Sequence, residues 1–337
     1  MCMYFTKGIK QNGYMLCSIC NMMKDMHPIF VYLYSMTSQC DDIILLIQNY
    51  IKTDIQTITG GYKHTGVLLQ DNTVKCWGDN RWGQCKIPDE IQGKVVSINC
   101  HLNYSCALLN NNMVKLWDSS VYRLLNVPDS VQGRIISLNC TVYSCCGLLN
   151  DNTVMCWNWK GNEENKPPDS IQGMVVSISC GAYFYCALLN NNTIKYWGDA
   201  SSGVCNVPLS IQGRVLSVKC GCNFSCAILN NHTIKCWGDN TYEQCNPPDS
   251  IQGKVIEISC GYYHSVALLY DGTVKCWGMN NMGQCDVPDS IQERVLSIEC
   301  STNHTIAFLN DNTVVCWGDN DMGQCNVPEG LKIMRKN

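Results

Sequence analysis

Charge is scarce in this chain. Only 15% of its 337 residues are Asp, Glu, Lys or Arg, and 24 basic against 28 acidic side chains leave a formal charge of −4. No cluster of Lys and Arg stands ready to neutralise phosphates, so direct binding of nucleic acid is not expected. Long apolar runs are missing too: none reaches 18 residues, which leaves no transmembrane helix to expect. The segment HPIFVYLYSM at 27–36 comes nearest to a signal core, but Lys24 and Asp25 precede it and no clean small-residue cleavage site follows. The expectation is an intracellular protein of cytoplasm or nucleus, or one carried in a virion, not secreted, with the sequons at Asn103 and Asn303 unused. Catalytic patterns are absent as well. There is no Gly-rich phosphate loop, no His-Glu-x-x-His and no nucleophile elbow, and the reading is of a non-enzyme without cofactor or metal.

What the chain does have is repetition. Trp77, Trp117, Trp157, Trp197, Trp237, Trp277 and Trp317 recur every 40 residues without an insertion or deletion. Seven strict copies mean that one repeat is one supersecondary unit. Within residues 254 to 288, KVIEISC, SVALLY, TVKCWG and GQCDVP read as four short strands separated by turn-formers. YDGT at 270–273 reads as a two-residue hairpin with both central residues at positive φ, and Pro288 as the end of the fourth strand. Four antiparallel strands per repeat make a propeller blade. The fold class is therefore all-β, a seven-bladed β-propeller of four-stranded antiparallel blades over 54–328. An open solenoid would need atypical end repeats, and the seventh copy, TVVCWGDNDMGQCNVP, is as regular as the fifth or sixth.

The flanks differ. Residues 1–53 form a short, partly disordered extension with a helix near 41–52 in DDIILLIQNYIKT, and 329–337 form a tail. Met36 offers an alternative start. Cys17, Cys20, His27 and Cys40 suggest zinc by residue type but lack a second tight ligand pair.

The phrases GGYKHTGVLLQDNTVKCWGDNRWGQC (60–85) and GYYHSVALLYDGTVKCWGMNNMGQC (261–285) resemble the repeat of the regulator of chromosome condensation family. The matching features are Gly-x-x-His, Asp-Gly-Thr-Val, Trp-Gly-x-Asn and Gly-Gln, and the resemblance spans about 54–328. WD repeats share the period, but here Trp is followed by Gly in five copies of seven. The resemblance implies a seven-bladed propeller that works by binding. The founding member acts on a small GTPase and on chromatin through a basic tail and a projecting wedge. This chain has no insertion of wedge length and no basic N-terminal segment. Other relatives serve ubiquitin ligases, and compact 40-residue versions occur in bacteria, one of them a β-lactamase inhibitor, and in large DNA viruses.

Twenty-six cysteines raise the question of disulfides. Cys100, Cys140, Cys180, Cys220, Cys260 and Cys300 share one repeat position, where a small apolar residue packs. Across the third and fourth strands, Cys76–Cys85, Cys236–Cys245, Cys276–Cys285 and Cys316–Cys325 face each other and are within reach of bridging, although copy two has Leu116 and Leu125 there, which favours plain packing. Cys226 and Cys236 do not pair in this reading, because the hairpin sets Cys226 opposite Trp237.

His64, His264 and His304 share a position with Tyr104, Ser144, Phe184 and Phe224, which points to packing and loop hydrogen bonds. Variation is concentrated in the loops after the first and third strands, which alternation puts on one face, while DSIQG on the other face hardly changes. Copies two and three depart most, with WDSSVYRL at 117–124 and WNWKGNEEN at 157–165. Large apolar side chains on loop tips lack a structural need and dominate binding hot spots. The expected partner-binding residues are Tyr62, Trp82, Tyr104, Tyr122, Arg123, Tyr143, Trp159, Lys160, Tyr183, Phe184, Phe224, Tyr242, Tyr262 and Tyr263. The expected protein is a monomer that binds another protein, with chromatin or a small GTPase as the partners the resemblance suggests, and no membrane.

Overall fold

The computed structural model describes residues 55–117, 127–140, 144–158, 166–199 and 203–331. The chain divides into two compact units, Met1–Lys52 and Thr53–Asn337, and every described residue belongs to the second. The helix expected near 41–52 and the Cys17, Cys20, His27 and Cys40 set lie outside the described residues.

The described residues form seven antiparallel sheets of three strands each, one sheet per repeat. The first holds β1 (Ile55–Gly60), β2 (His64–Leu69) and β3 (Val74–Gly78). The last holds β19 (Val295–Cys300), β20 (His304–Leu309) and β21 (Val314–Gly318). Middle strands such as Phe184–Leu189 and Phe224–Leu229 are buried along their whole length, which is why CALL and CAIL run apolar instead of alternating. The first strands neighbour one another in chain order, and β19 in turn neighbours β1. The architecture is all-β and propeller-like.

The cores lie between sheets. Leu68 and Val74 of the first sheet pack with Ile91, Val95, Ile98, Ala107 and Trp117 of the next repeat. Ile306, Phe308 and Val314 of the seventh sheet pack in the same way with Ile55, Ile58, Val67 and Trp77 of the first. Leu331, expected in a tail, is buried in this last cluster at 2% exposure. Each of these Trp side chains also reaches backwards. Trp117 Nε1 donates to the Gln84 carbonyl, Trp277 Nε1 to Gln244 and Trp317 Nε1 to Gln284. Trp77 Nε1 donates to Gln324 of the seventh repeat at 3.0 Å. Trp237 Nε1 likewise donates to the Val204 carbonyl, so five of the seven tryptophans are clamps between neighbouring repeats.

Two expectations are corrected. Among the described residues the fourth segment does not join the sheet. Lys86 N bonds Gly83 O, Cys85 N bonds the Asn80 side chain, and the Gln84 carbonyl is taken by Trp117 and Ser105 of the next repeat. With its polar groups committed elsewhere, the segment has nothing left for a ladder. Pro88 then leads into a 3₁₀ turn, Asp89–Ile91, which buries Ile91. Gln92 closes the edge of β3, accepting from Val74 N at 2.8 Å and donating to Val74 O at 3.1 Å. The same glutamine bonds recur at Gln132, Gln172, Gln212 and Gln292. DSIQG is constant because it packs one side chain and caps one strand.

The hairpin turn is also one residue longer than expected. Leu69 N bonds Thr73 O across a three-residue loop in which only Asn72, at φ 62°, is left-handed. Asp71 stays right-handed and accepts from Thr73 N and Oγ1. A type I turn followed by one left-handed residue is the usual three-residue solution, and Asn tolerates that position. The extra residue shifts the ladder by one, so Cys226 pairs with Cys236 and Ser225 with Trp237.

Candidate functional site

The register shift decides the cysteine chemistry. With Cys146 opposite Cys156 and Cys226 opposite Cys236, both pairs are bridged within a hairpin, and Cys140 is bridged to Cys145 across the first two strands of the third sheet. The reading that denied Cys226–Cys236 is thereby corrected. Cys236 is consequently not joined to Cys245, and Cys76, Cys85, Cys245, Cys276, Cys285, Cys316 and Cys325 are free thiols. Cys276 and Cys285 do approach, Sγ to Sγ 3.0 Å, without a bond. Burial pushes the Cys85, Cys245 and Cys325 thiols up to about 12, so they are protonated packing groups at neutral pH.

The shared histidine position is structural. His64, His264 and His304 are each fully buried. His264 Nε2 lies 3.1 Å from Thr305 Oγ1, whose own proton goes to the Gln284 carbonyl, so the ring must be the donor. His64 with Ser105 and Gln84 repeats the relay, and His304 with Thr65 and Gln324 carries it across from the seventh repeat to the first. Burial holds His264 down at about 4 and His304 at about 3, which keeps both rings neutral. The same geometry explains Gly78. At φ +101° its Cα stands where an added Cβ would lie 2.6 Å from the Lys63 carbonyl, so only glycine lets the loops after the first and third strands close together. Asp79 N then bonds that carbonyl at 2.7 Å.

Those two loops share one face, as expected. The hairpin turn and the DSIQG connection share the other, since Gly93 N and Val95 N both bond Asn72 O. On the loop face Tyr62, Trp82, Tyr183 and Tyr242 stand out at 37 to 54% exposure, joined by Met282 and Met322. Tyr262 and Tyr263 are half-buried, and Tyr263 packs on Tyr262 and on Tyr242 with ring centroids 4.7 and 4.9 Å apart. Lys63 Nζ lies 5.7 Å from the Tyr62 ring and pairs with Asp319 and Asp321 of the seventh repeat. Three expected surface residues are corrected: Tyr104, Phe184 and Phe224 are buried at 8%, 1% and 0% exposure and take the place of the shared histidine in the core. Tyr122, Arg123, Tyr143, Trp159 and Lys160 lie outside the described residues.

Sequence reasoning named no residue of a second feature of this face, a cavity of about 180 Å³ lined by the ends of all seven first strands and, in six repeats, by the loops that follow them. One repeat position supplies its polar ring: Thr59, Asn99, Asn139, Ser179, Lys219, Ser259 and Glu299. Most of these are staples between neighbouring first strands. Thr59 Oγ1 accepts from Cys100 N, Asn139 Oδ1 from Cys180 N, Ser179 Oγ from Cys220 N and Ser259 Oγ from Cys300 N, all at 2.9 to 3.1 Å. Glu299 reaches back to Ser259 Oγ, and Glu257 reaches forward to Ser297 Oγ and Ile298 N. Burial pushes both carboxyls up to about 7 against the opposing pull of Lys219, and Glu257 raises Glu299 further. The signal was present in the sequence, since Lys219, Glu257 and Glu299 break repeat positions that are otherwise neutral and polar. Among the described residues no group of three His, Cys, Asp or Glu side chains could hold a metal ion.

Comparison with known proteins agrees with this geometry. The model of the regulator of chromosome condensation (RCC1) repeat matches residues 55–84, 175–204, 215–244, 255–284 and 295–324. The matches fall on copies one and four to seven, leaving out copies two and three, whose loops depart most. The chain thus carries five repeats of the regulator of chromosome condensation family. No curated protein matches it. Among solved structures it is similar to the CRINKLY WD40 ectodomain of the Arabidopsis thaliana receptor kinase ACR4, at 22% identity and TM-score 0.63 over 79% of this chain and 98% of that one. Human WBSCR16 is similar at 15% identity and TM-score 0.60 over 76% and 86%. The C-terminal domain of gp131 from bacteriophage phiKZ is similar at 14% identity and TM-score 0.54 over 86% and 96%. These likenesses concern the fold.

Proposed function

We infer that the chain is a non-enzymatic binding module, a closed seven-bladed propeller that holds a protein partner on the face formed by the loops after its first and third strands. The observation that carries this reading is the grouping of exposed Tyr62, Trp82, Tyr183, Tyr242, Met282 and Met322 on that face, in loops whose backbones are fixed by Gly78-type contacts. Water-exposed aromatic and methionine side chains on a rigid frame lose little conformational entropy on docking, and such residues dominate interface energetics. The three histidines at the shared position are buried and bonded to the frame, and burial keeps His264 and His304 neutral, which argues against a task in proton transfer.

The test is affinity capture with the full chain beside a Trp82→Ala, Tyr183→Ala, Tyr242→Ala variant. Loss of one specific partner with the melting temperature unchanged supports the reading; an unchanged set of partners contradicts it. Two other functions occur in the family. Nucleotide exchange on a small GTPase would appear as accelerated nucleotide release, and a ubiquitin-ligase adaptor would lose its ligase when residues 1–53 are deleted.

A further inference from the structure

The cavity at the loop-face end of the axis holds charges that its architecture does not require. Stapling one first strand to the next is done by a neutral hydroxyl or amide at Thr59, Asn139, Ser179 and Ser259. Lys219 and Glu299 occupy the same repeat position with an ionisable side chain each, and Glu257, outside the cavity lining, lies two residues before that position in its own strand. Lys219 forms no ion pair among the described residues, although it acts electrostatically on both carboxyls. Carboxyl groups withdrawn from water cost stability unless something compensates them. Perturbed groups gathered in a cleft are a recurrent mark of a binding site.

We propose that this cavity is a binding site for a small zwitterion, of the class of free α-amino acids, with the ligand carboxylate on Lys219 and its ammonium on Glu299. Size limits the class. A cavity of 180 Å³ has the volume of about six waters. It falls below the ~300 Å³ at which pockets for drug-sized molecules begin. Charge limits it further. Cation and carboxyl sit in the fifth and seventh repeats with Ser259 of the sixth between them, so opposite ends of one short molecule can be held at once. Asn99, whose amide donates to Leu138 O at 3.3 Å, and Asn139 lie in repeats without charge and present only dipoles. A simple anion would meet Glu299, and a simple cation would meet Lys219.

The experiment uses the full chain and calorimetric titration with glycine, L-alanine and L-serine, beside sodium acetate and methylammonium chloride at matched ionic strength. Two variants accompany it, Lys219→Ser and Glu299→Ser, each installing the residue that the repeat already carries at positions 179 and 259, so folding is retained. The expected result is saturable binding of at least one amino acid, weakened about tenfold or more in each variant, the effect of losing one charge-assisted bond. Neither acetate nor methylammonium alone should reproduce it. Absence of binding by all three amino acids, binding undiminished in either variant, or acetate or methylammonium binding as well as the zwitterion would each overturn the proposal. The loop-face partner does not enter the measurement, so failure here leaves the proposed function standing.

Discussion

Replacing Glu299 by Ser should make the protein more stable at high pH and leave it unchanged at low pH. Both Glu257 and Glu299 are raised from 4.5 to about 7 by burial. A carboxyl with a raised folded-state value contributes stability that is fully present below the unfolded value, and that stability is lost as pH rises through the folded one. The window is therefore pH 4.5 to 7. A shift of this size corresponds to about 3 kcal/mol for one independent group. Glu257 raises Glu299 further, and Glu299 borders the cavity and its solvent, so about 2 kcal/mol is the gain expected from this substitution at pH 8. The neutral histidines act in the opposite sense. His264 at about 4 and His304 at about 3 contribute stability above pH 6.5 that is lost as pH falls toward those values. The wild-type profile is thus a difference of two slopes, and the informative quantity is variant minus wild type. Urea denaturation at pH 4, 5, 6, 7 and 8 measures it. A difference that is flat with pH, or largest at pH 4, would refute the burial of these carboxyls.

Thr65→Val removes the hydroxyl that joins His304 to the Gln324 carbonyl; a loss of about 1–3 kcal/mol in chemical denaturation is expected from the stranded buried groups. Thr305→Val, the same change between the sixth and seventh repeats, should cost a similar amount, and a silent Thr65→Val would place the first and seventh repeats apart. Non-reducing peptide mapping should recover Cys146 linked to Cys156 and Cys226 linked to Cys236, and Cys226→Ser should cost about 2–3 kcal/mol under oxidising conditions. Gly78→Ala forces a side chain against the Lys63 carbonyl at positive φ; a loss of at least about 1–2 kcal/mol is expected by thermal unfolding.

The period of 40 was legible because the clamp repeats with it: in five of the seven copies the Trp bonds the preceding copy, so there spacing and architecture are the same fact. The register was not legible, because Asp-Gly and Asp-Asn suit a two-residue turn as well as the three-residue one observed, and the difference lies in whether Asp71 turns left-handed or accepts from Thr73. One residue of slip then concealed Cys226–Cys236. The fourth strand failed for a different reason. GQCDVP has strand-like composition, but its carbonyl at Gln84 belongs to the next repeat, a contact no local pattern announces. Of the aromatic residues assigned to the loop face, Tyr62, Trp82, Tyr183 and Tyr242 stand exposed there, whereas Tyr104, Phe184 and Phe224 sit where the buried histidines sit, a position whose His already signalled packing. The axial charges went unread because alternation in a first strand suggests solvent, and only the arrangement of seven such strands turns that side into a cavity.

Hydrogen exchange of the full chain with and without its captured partner tests the central claim most directly. The account predicts slowed exchange in 61–63, 79–83, 181–183, 239–243 and 261–263, with the turns at 70–72 and 88–93 unchanged. Protection confined to those turns would contradict it.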